Sequence, residues 1–267
     1  MPSGRVYHAS SIGYAESSDG VRFTRRPAPF LRPAADALEM GFEDARVTRL
    51  GADCYLFYTS VSPSEDGDLR VQIAGAVTRD FSEVTELGLV AFEEPWWFKA
   101  AALFPEKING RYGFLYTAQA DTPRSTICYL ETDSIDALFD PRALAKLVKT
   151  AVLPPSPTAH RGPELGAVPV RTPHGWLLVY CPESFREEWT IGAALLDLED
   201  PRQVIGKTTA PLLVPETAYE LEGYVANVTF PEGATIDGDK LSVYYGAADS
   251  GVCLATGSLS ALLSSLR

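Results

Sequence analysis

Glu43, Asp44 and Arg46 stand together in the segment Gly41-Phe42-Glu43-Asp44-Ala45-Arg46-Val47-Thr48, two adjacent carboxylates and a guanidinium at the entry of a strand-like run. This grouping is suited to proton transfer, with Asp44 as general acid and Arg46, two residues on and on the same strand face, as its partner. Strict alternation sends Glu43 to the opposite face, so only one of the two carboxylates reaches a pocket. For an arbitrary Glu-Asp-x-Arg the commoner outcome is a plain salt bridge at a strand entry, and the chemical reading therefore depends on the elements that position the segment. Two further acids stand out: Glu164 in Arg161-Gly162-Pro163-Glu164-Leu165-Gly166, and Asp249 just past an apolar strand. Asp249 alone reads equally well as a turn cap.

The surrounding elements repeat. An aromatic strand follows a turn four times: Gly51-Ala52-Asp53 before Tyr55–Tyr58, Asn109-Gly110 before Tyr112–Tyr116, His174-Gly175 before Trp176–Tyr180, and Asp237-Gly238 before Leu241–Tyr245. Asn-Gly and Asp-Gly are strong hairpin signals because these residues accept the positive φ that tight turns need. A second strand pattern, closing on a small or apolar residue, recurs at Ala15, Ala74, Leu130, Ala194 and Ala255, an interval of about 60 residues. Its small residues suggest close packing near a crowded axis. Five copies predict an all-β fold, a five-bladed β-propeller forming one domain over residues 1–267 with a central pocket. The first blade is incomplete, since residues 1–9 leave no room for an aromatic hairpin; either the chain is truncated or a partner, such as a second copy in a homo-oligomer, covers the edge. A short helical interruption is expected over residues 134–149.

Composition narrows the partners. The chain has 267 residues, 46% hydrophobic and 22% charged, with a formal net charge of −12. That balance disfavours nucleic acid and anionic membrane surfaces and leaves small molecules. No run approaches the length of a membrane span and no basic, apolar leader opens the sequence, which reads as cytoplasmic. Cys54, Cys128, Cys181 and Cys253 lie singly in apolar runs, so neither a disulfide framework nor a metal site is expected, and no cofactor is called for.

From Ser11 onwards the chain resembles glycoside hydrolase family 130, the inverting β-mannoside phosphorylases and related β-mannosidases. The resemblance is carried by Ile12-Gly13-Tyr14-Ala15-Glu16-Ser17, Gly41-Phe42-Glu43-Asp44-Ala45-Arg46, Ala102-Leu103-Phe104-Pro105-Glu106-Lys107-Ile108-Asn109-Gly110, Gly192-Ala193-Ala194-Leu195-Leu196-Asp197, Tyr219-Glu220-Leu221-Glu222-Gly223 and Tyr244-Tyr245-Gly246-Ala247-Ala248-Asp249. It implies a five-bladed propeller acting on an oligosaccharide, with Asp44 as proton donor, working through a sugar hydroxyl, and Asp249 holding the mannosyl unit. Glu43, Arg46, Arg70, Lys99, Arg161 and Glu220 complete the substrate-binding candidates, and inorganic phosphate is the implied co-substrate of a phosphorylase.

The chain departs from the phosphorylase pattern where a phosphate cradle is expected. Lys99-Ala100, Tyr116-Thr117 and Tyr180-Cys181-Pro182 stand where the family shows Lys-Asp, His-Arg and Tyr-His-Gly. Lys99, Arg46 and Arg70 remain, which tilts the reading slightly to hydrolysis. An inverting hydrolase needs a carboxylate base roughly 6.5–9.5 Å from the acid, and Glu164 is the candidate, with Glu183 a weaker one beside Glu187 and Glu188. Trp96-Trp97 could stack on a sugar ring or pack between blades, and His160 could bind phosphate or simply lie at the surface. A sugar-binding propeller without turnover is the alternative, and a pure scaffold leaves the retained acids unexplained.

Overall fold

The computed structural model describes residues 10–34, 41–64, 69–93 and 97–266. Four antiparallel sheets follow one another along the chain. The first comprises β3 (Gly41–Leu50), β4 (Asp53–Pro63), β5 (Leu69–Thr78) and β6 (Thr85–Leu89), and the second β7 (Phe98–Leu103), β8 (Tyr112–Ala118), β9 (Thr126–Thr132) and β10 (Thr150–Leu153). The third comprises β11 (Val170–Thr172), β12 (Gly175–Tyr180), β13 (Gly192–Leu196) and β14 (Val204–Lys207), and the last β15 (Thr229–Asp237), β16 (Lys240–Ala247) and β17 (Gly251–Ser258). Strands in each sheet are ordered as in the chain, the meander expected of a propeller blade. The hairpin signals are met: Asn109 and Gly110 both adopt positive φ, 51° and 82°, in the turn joining β7 to β8.

Apolar cores lie between consecutive sheets, as faces that alternate inward must. Phe57, Leu103, Phe114 and Tyr116 fill the space between the first two full blades, and Phe104, Leu115, Trp176 and Leu178 that between the second and third. Aromatic edges interlock there, with Phe57–Phe114 centroids at 4.8 Å and Phe104–Trp176 at 5.0 Å. The helical interruption forms as a 3₁₀ turn Ile135–Leu138 and α1 (Pro141–Leu144), with Asp140 capping α1 through the N–H groups of Arg142 and Ala143.

Two expectations change. The small-residue strands are the third strands of their sheets, not the ones at the axis; Gly75 shows why they must be small, since a Cβ there would meet the Phe139 ring at 2.5 Å. The blade count also falls short of five. Among the described residues the N-terminal sector contains only a ribbon of β1 (Ala15–Glu16) and β2 (Thr24–Arg25), and the propeller has three four-stranded sheets and one of three strands. This sector nevertheless links the first and last blades. Ser10 pairs with Gly41 beside β3, Arg26 donates to the Phe81 carbonyl, and Tyr244 of β16 donates to the Gly20 carbonyl at 2.8 Å. Gly41 suits that approach, because a Cβ would sit 2.0 Å from Ser10 Oγ and 3.0 Å from the Ser10 backbone nitrogen. No helix among the described residues is long and apolar enough to cross a membrane.

Candidate active site

Four inner segments each carry one extra residue at the same height. On β3, Glu43 pairs with Thr59 but Arg46 with Phe57; on β7, Lys99 pairs with Thr117 and Ala101 with Tyr116; on β15, Pro231 pairs with Tyr245 and Gly233 with Tyr244. The third blade does the same just before β11: Glu164 pairs with Cys181, and Ala167, one residue late, donates to Val179. Each is a β-bulge, which breaks alternation and re-aims side chains. Asp44 and Ala100 take positive φ, 58° and 43°, at two of these bulges. Non-glycine residues pay for that conformation, and such strain gathers where function requires it.

The bulges correct the expectation that Glu43 and Asp44 part to opposite faces. Both enter one charged cluster at the axis with Lys99, Asp121, Asp249 and Glu232. Burial raises the Glu43 carboxyl above its ordinary range and the Asp44 charge adds to this; burial followed by the Asp44 charge does the same to Asp249. Lys99 is 21% exposed and its Nζ lies 2.9 Å from Asp121. Burial works against its charge, but Asp121, Asp44 and Glu43 together outweigh it and hold Lys99 protonated.

Glu164 and Arg161 join the cluster through Asp121. The Asp121 amide donates to Glu164 Oε1 at 2.9 Å, and the Asp121 carboxylate lies 3.7 Å from Arg161, whose guanidinium stacks 3.6 Å from the centre of the Trp189 ring. Gly162 and Ser125 lock the two segments together: Ser125 Oγ donates to the Pro163 carbonyl, and a Cβ on Gly162 would meet the Ser125 carbonyl at 2.1 Å. Glu164 is 2% exposed, and burial, with the Asp121 charge behind it, pushes its carboxyl up to about 7. A carboxyl near neutrality exchanges protons readily at working pH, the property required of a catalytic acid or base. A groove of 640 Å³ lies beside this segment, lined by its neighbour Pro163 with Tyr180, Phe185 and Lys207 among others, and by none of the clustered acids.

Three further candidates take other places. Arg46 does not face the Asp44 carboxylate; its side chain is fully buried and donates to the Asp44, Leu165 and Gly166 carbonyls, with Glu232 as ion-pair partner at 3.0 Å. Glu220 caps α2 (Ala218–Leu221): its Oε2 accepts from the Glu216 and Thr217 amides and its Oε1 from the Tyr245 hydroxyl at 2.7 Å. Both oxygens of Glu220 are thus engaged inside the protein in capping α2. Arg70 lies at the start of β5, opposite Ser62. Among the weaker candidates, Glu183 accepts from the Ser156 amide, His160 is exposed near Glu187, and Trp97 bridges Val71, while Trp96 lies outside the described residues.

This fold and its acid-rich axis have counterparts. A family profile described as beta-1,4-mannooligosaccharide phosphorylase, that of glycoside hydrolase family 130, matches residues 5–267. The chain belongs to glycoside hydrolase family 130. The 1,2-beta-oligomannan phosphorylase of Thermoanaerobacter sp. (strain X514) is 32% identical over 248 residues, covering 93% of this chain and 78% of that protein. The beta-1,2-mannobiose phosphorylase of Listeria innocua is also 32% identical, over 97% of this chain and 69% of its own length. The solved structure of a Listeria innocua beta-1,2-mannobiose phosphorylase with beta-1,2-mannobiose matches with a TM-score of 0.80 at 31% identity, covering 94% of this chain and 68% of that one. This family 130 chain is thus a carbohydrate-active enzyme of the glycosidase or glycoside phosphorylase kind.

Sequence reasoning missed Asp121 and Glu232. Neither sits in a distinctive motif. Aligning the first strand of each hairpin, rather than the aromatic second, exposes Glu232, which occupies the bulge opposite Tyr244 and Tyr245 as Asp44 does opposite Tyr58. Asp121 carried no such signal, because it belongs to a loop whose course is set by the neighbouring blade.

Proposed function

We propose that this family 130 enzyme cleaves β-1,2-linked mannosides with inversion at the anomeric carbon, using Asp44 as proton donor. The observation that carries the reading is the convergence of Glu43, Asp44, Lys99, Asp121 and Asp249 in one cluster at the axis of the bulged blades. Carboxylates so placed can accept from several sugar hydroxyls at once while one of them protonates the departing oxygen. The β-1,2 linkage follows three of the four relatives, named for β-1,2-mannosides and matched over more than nine-tenths of this chain, whereas the fourth, named for β-1,4-mannooligosaccharides, is matched over 57% of it. Residues 1–267 are read as one unit, with the β1–β2 ribbon as the reduced first of five blades.

Phosphorolysis is the reading supported by the curated relatives, all phosphorylases, and the sequence-based lean to hydrolysis finds no support in them. In phosphorolysis a phosphate oxygen attacks the anomeric carbon, the glycosidic bond breaks, and Asp44 supplies the leaving group's proton, giving a mannose 1-phosphate of inverted configuration. Lys99 and Arg161 are the cations on hand, both turned to Asp121. The electrostatics of the site favour water instead: Glu164, Asp121 and Glu43 would confront a phosphate dianion beside those cations, whereas a Glu164 carboxyl near 7 can take a proton from attacking water. Incubating β-1,2-mannobiose with and without inorganic phosphate separates the two. Mannose 1-phosphate formed only with phosphate, and lost in Lys99→Ala, supports phosphorolysis; free mannose without phosphate, lost in Glu164→Gln, supports hydrolysis.

A further inference from the structure

Arg46 is a fully buried guanidinium whose contacts span three blades. It donates to the carbonyl of Asp44 (2.6 Å) on β3 and to those of Leu165 (3.3 Å) and Gly166 (2.9 Å) in the third blade, and its Nη2 lies 3.0 Å from Glu232 Oε2 on β15. Each of these partners lies in or beside the bulge of an inner segment, so one planar fork ties three irregularities together. Carbonyls satisfy its hydrogen bonds but not its charge. Glu232 is the carboxylate the structure sets against it, and a buried guanidinium deprived of such a partner is a strongly unfavourable state. The consequence reaches Asp44, because the bond from Arg46 Nη1 holds the carbonyl of a residue at φ 58°, a left-handed conformation that aspartate tolerates better than most side chains but that still needs its surroundings to select it.

We propose that Glu232 is a positioning residue for the proton donor, acting through Arg46 to fix the Asp44 backbone; this rests on the reading of Asp44 as that donor. Burial pushes the Glu232 carboxyl up to about 8 against the pull of Arg46, with Asp44 and Asp249 raising it and Lys99 lowering it, so its charge, on a side chain 32% exposed, responds to what occupies the pocket. The ion pair is thereby a link between the pocket's charge and the geometry of its acid.

The test compares Glu232→Gln, Glu232→Asp, Asp44→Asn and the Glu232→Gln/Asp44→Asn double variant, all in the full chain with β-1,2-mannobiose and phosphate. Glu232→Gln is expected to lower kcat about 10- to 100-fold with KM within about threefold, the scale of a misplaced reacting group. Glu232→Asp recovers part of that loss, and the double variant is no slower than Asp44→Asn, because residues acting as a unit are not additive. Losses that multiply in the double variant, or an unchanged kcat in Glu232→Gln, overturn the proposal. Amide exchange tests the strut without substrate: Ala45 and Arg46 should exchange faster in Glu232→Gln while β17 keeps its protection. Equal protection of Ala45 and Arg46 in both proteins overturns it as well. If the wild type cleaves no mannoside yet those amides loosen, the reading of Asp44 as donor fails and the strut stands.

Discussion

Two buried glutamates separate the axis from the structure around it. Glu164 and Glu220 are 2% and 3% exposed, and burial pushes both carboxyls upward. Glu220 nonetheless ends near 2, since two backbone amides and the Tyr245 hydroxyl stabilise its charged form at the head of α2. Glu164 ends near 7, with one amide donor, the repulsion of Asp121, and Lys99 and Arg161 only partly compensating. A carboxylate that serves the fold is surrounded by donors; one left short of them, at some cost to stability, is available for proton transfer.

That contrast fails if the two regions respond alike to substitution. The largest effect is expected at the axis: Asp44→Asn should lower turnover by about 10²–10⁴-fold, the range general acid catalysis supplies, while its urea unfolding midpoint stays close to wild type. Steady-state kinetics and a denaturation curve on the same preparation decide it, and a large loss of stability would make Asp44 a structural residue. Next in size is Glu164→Gln. The folded carboxyl lies above its unfolded value of 4.5, so its stabilisation is full below about pH 4.5 and lost as pH rises through about 7. The variant should therefore be more stable than wild type by up to about 3 kcal/mol at pH 8 and equal to it at pH 4. Unfolding curves at both values check this, and a destabilised variant at pH 8 reverses the assignment of the two glutamates.

Glu220→Gln should do the opposite, and less. Its depressed carboxyl stabilises the fold above about pH 4.5 and ceases to do so as pH falls through about 2. The substitution is expected to cost about 1–2 kcal/mol at pH 7, the scale of a lost cap, with kcat unchanged. A fall in kcat without a fall in stability would return Glu220 to the substrate site. The smallest effect belongs to Glu183→Gln, which touches only the Ser156 amide at the groove wall and should leave kcat within about twofold.

What the sequence reveals and conceals follows the same line. The second strands pair with the third in unbroken register in all four blades, β4 with β5, β8 with β9, β12 with β13 and β16 with β17. Their aromatic and small residues alternate as a regular ladder demands, so hairpins and repeat are legible in the amino-acid sequence itself. The inner strands were not, because one inserted residue per strand shifts every side chain beyond it to the other face. Alternation thus misjudged Glu43 against Asp44 and aimed Arg46 at the wrong partner. Glu164, Lys99 and Asp249, which interact with Asp121 in the folded chain, stand out in the sequence by residue type and family resemblance. Asp121 and Glu232 emerge only when neighbouring blades are brought together, since their partners Glu164, Lys99 and Arg46 lie far off in the chain.

The most direct test of the central claim is product analysis of β-1,2-mannobiose, with and without inorganic phosphate, for wild type and Asp44→Asn side by side, following the anomeric configuration by NMR. Wild type should release a mannosyl product in the α configuration, as phosphate ester or free sugar, and Asp44→Asn should be slower by at least about 100-fold. A β product, undiminished turnover in Asp44→Asn, or no product from bound substrate would contradict the assignment of the bulged axis as an inverting active site.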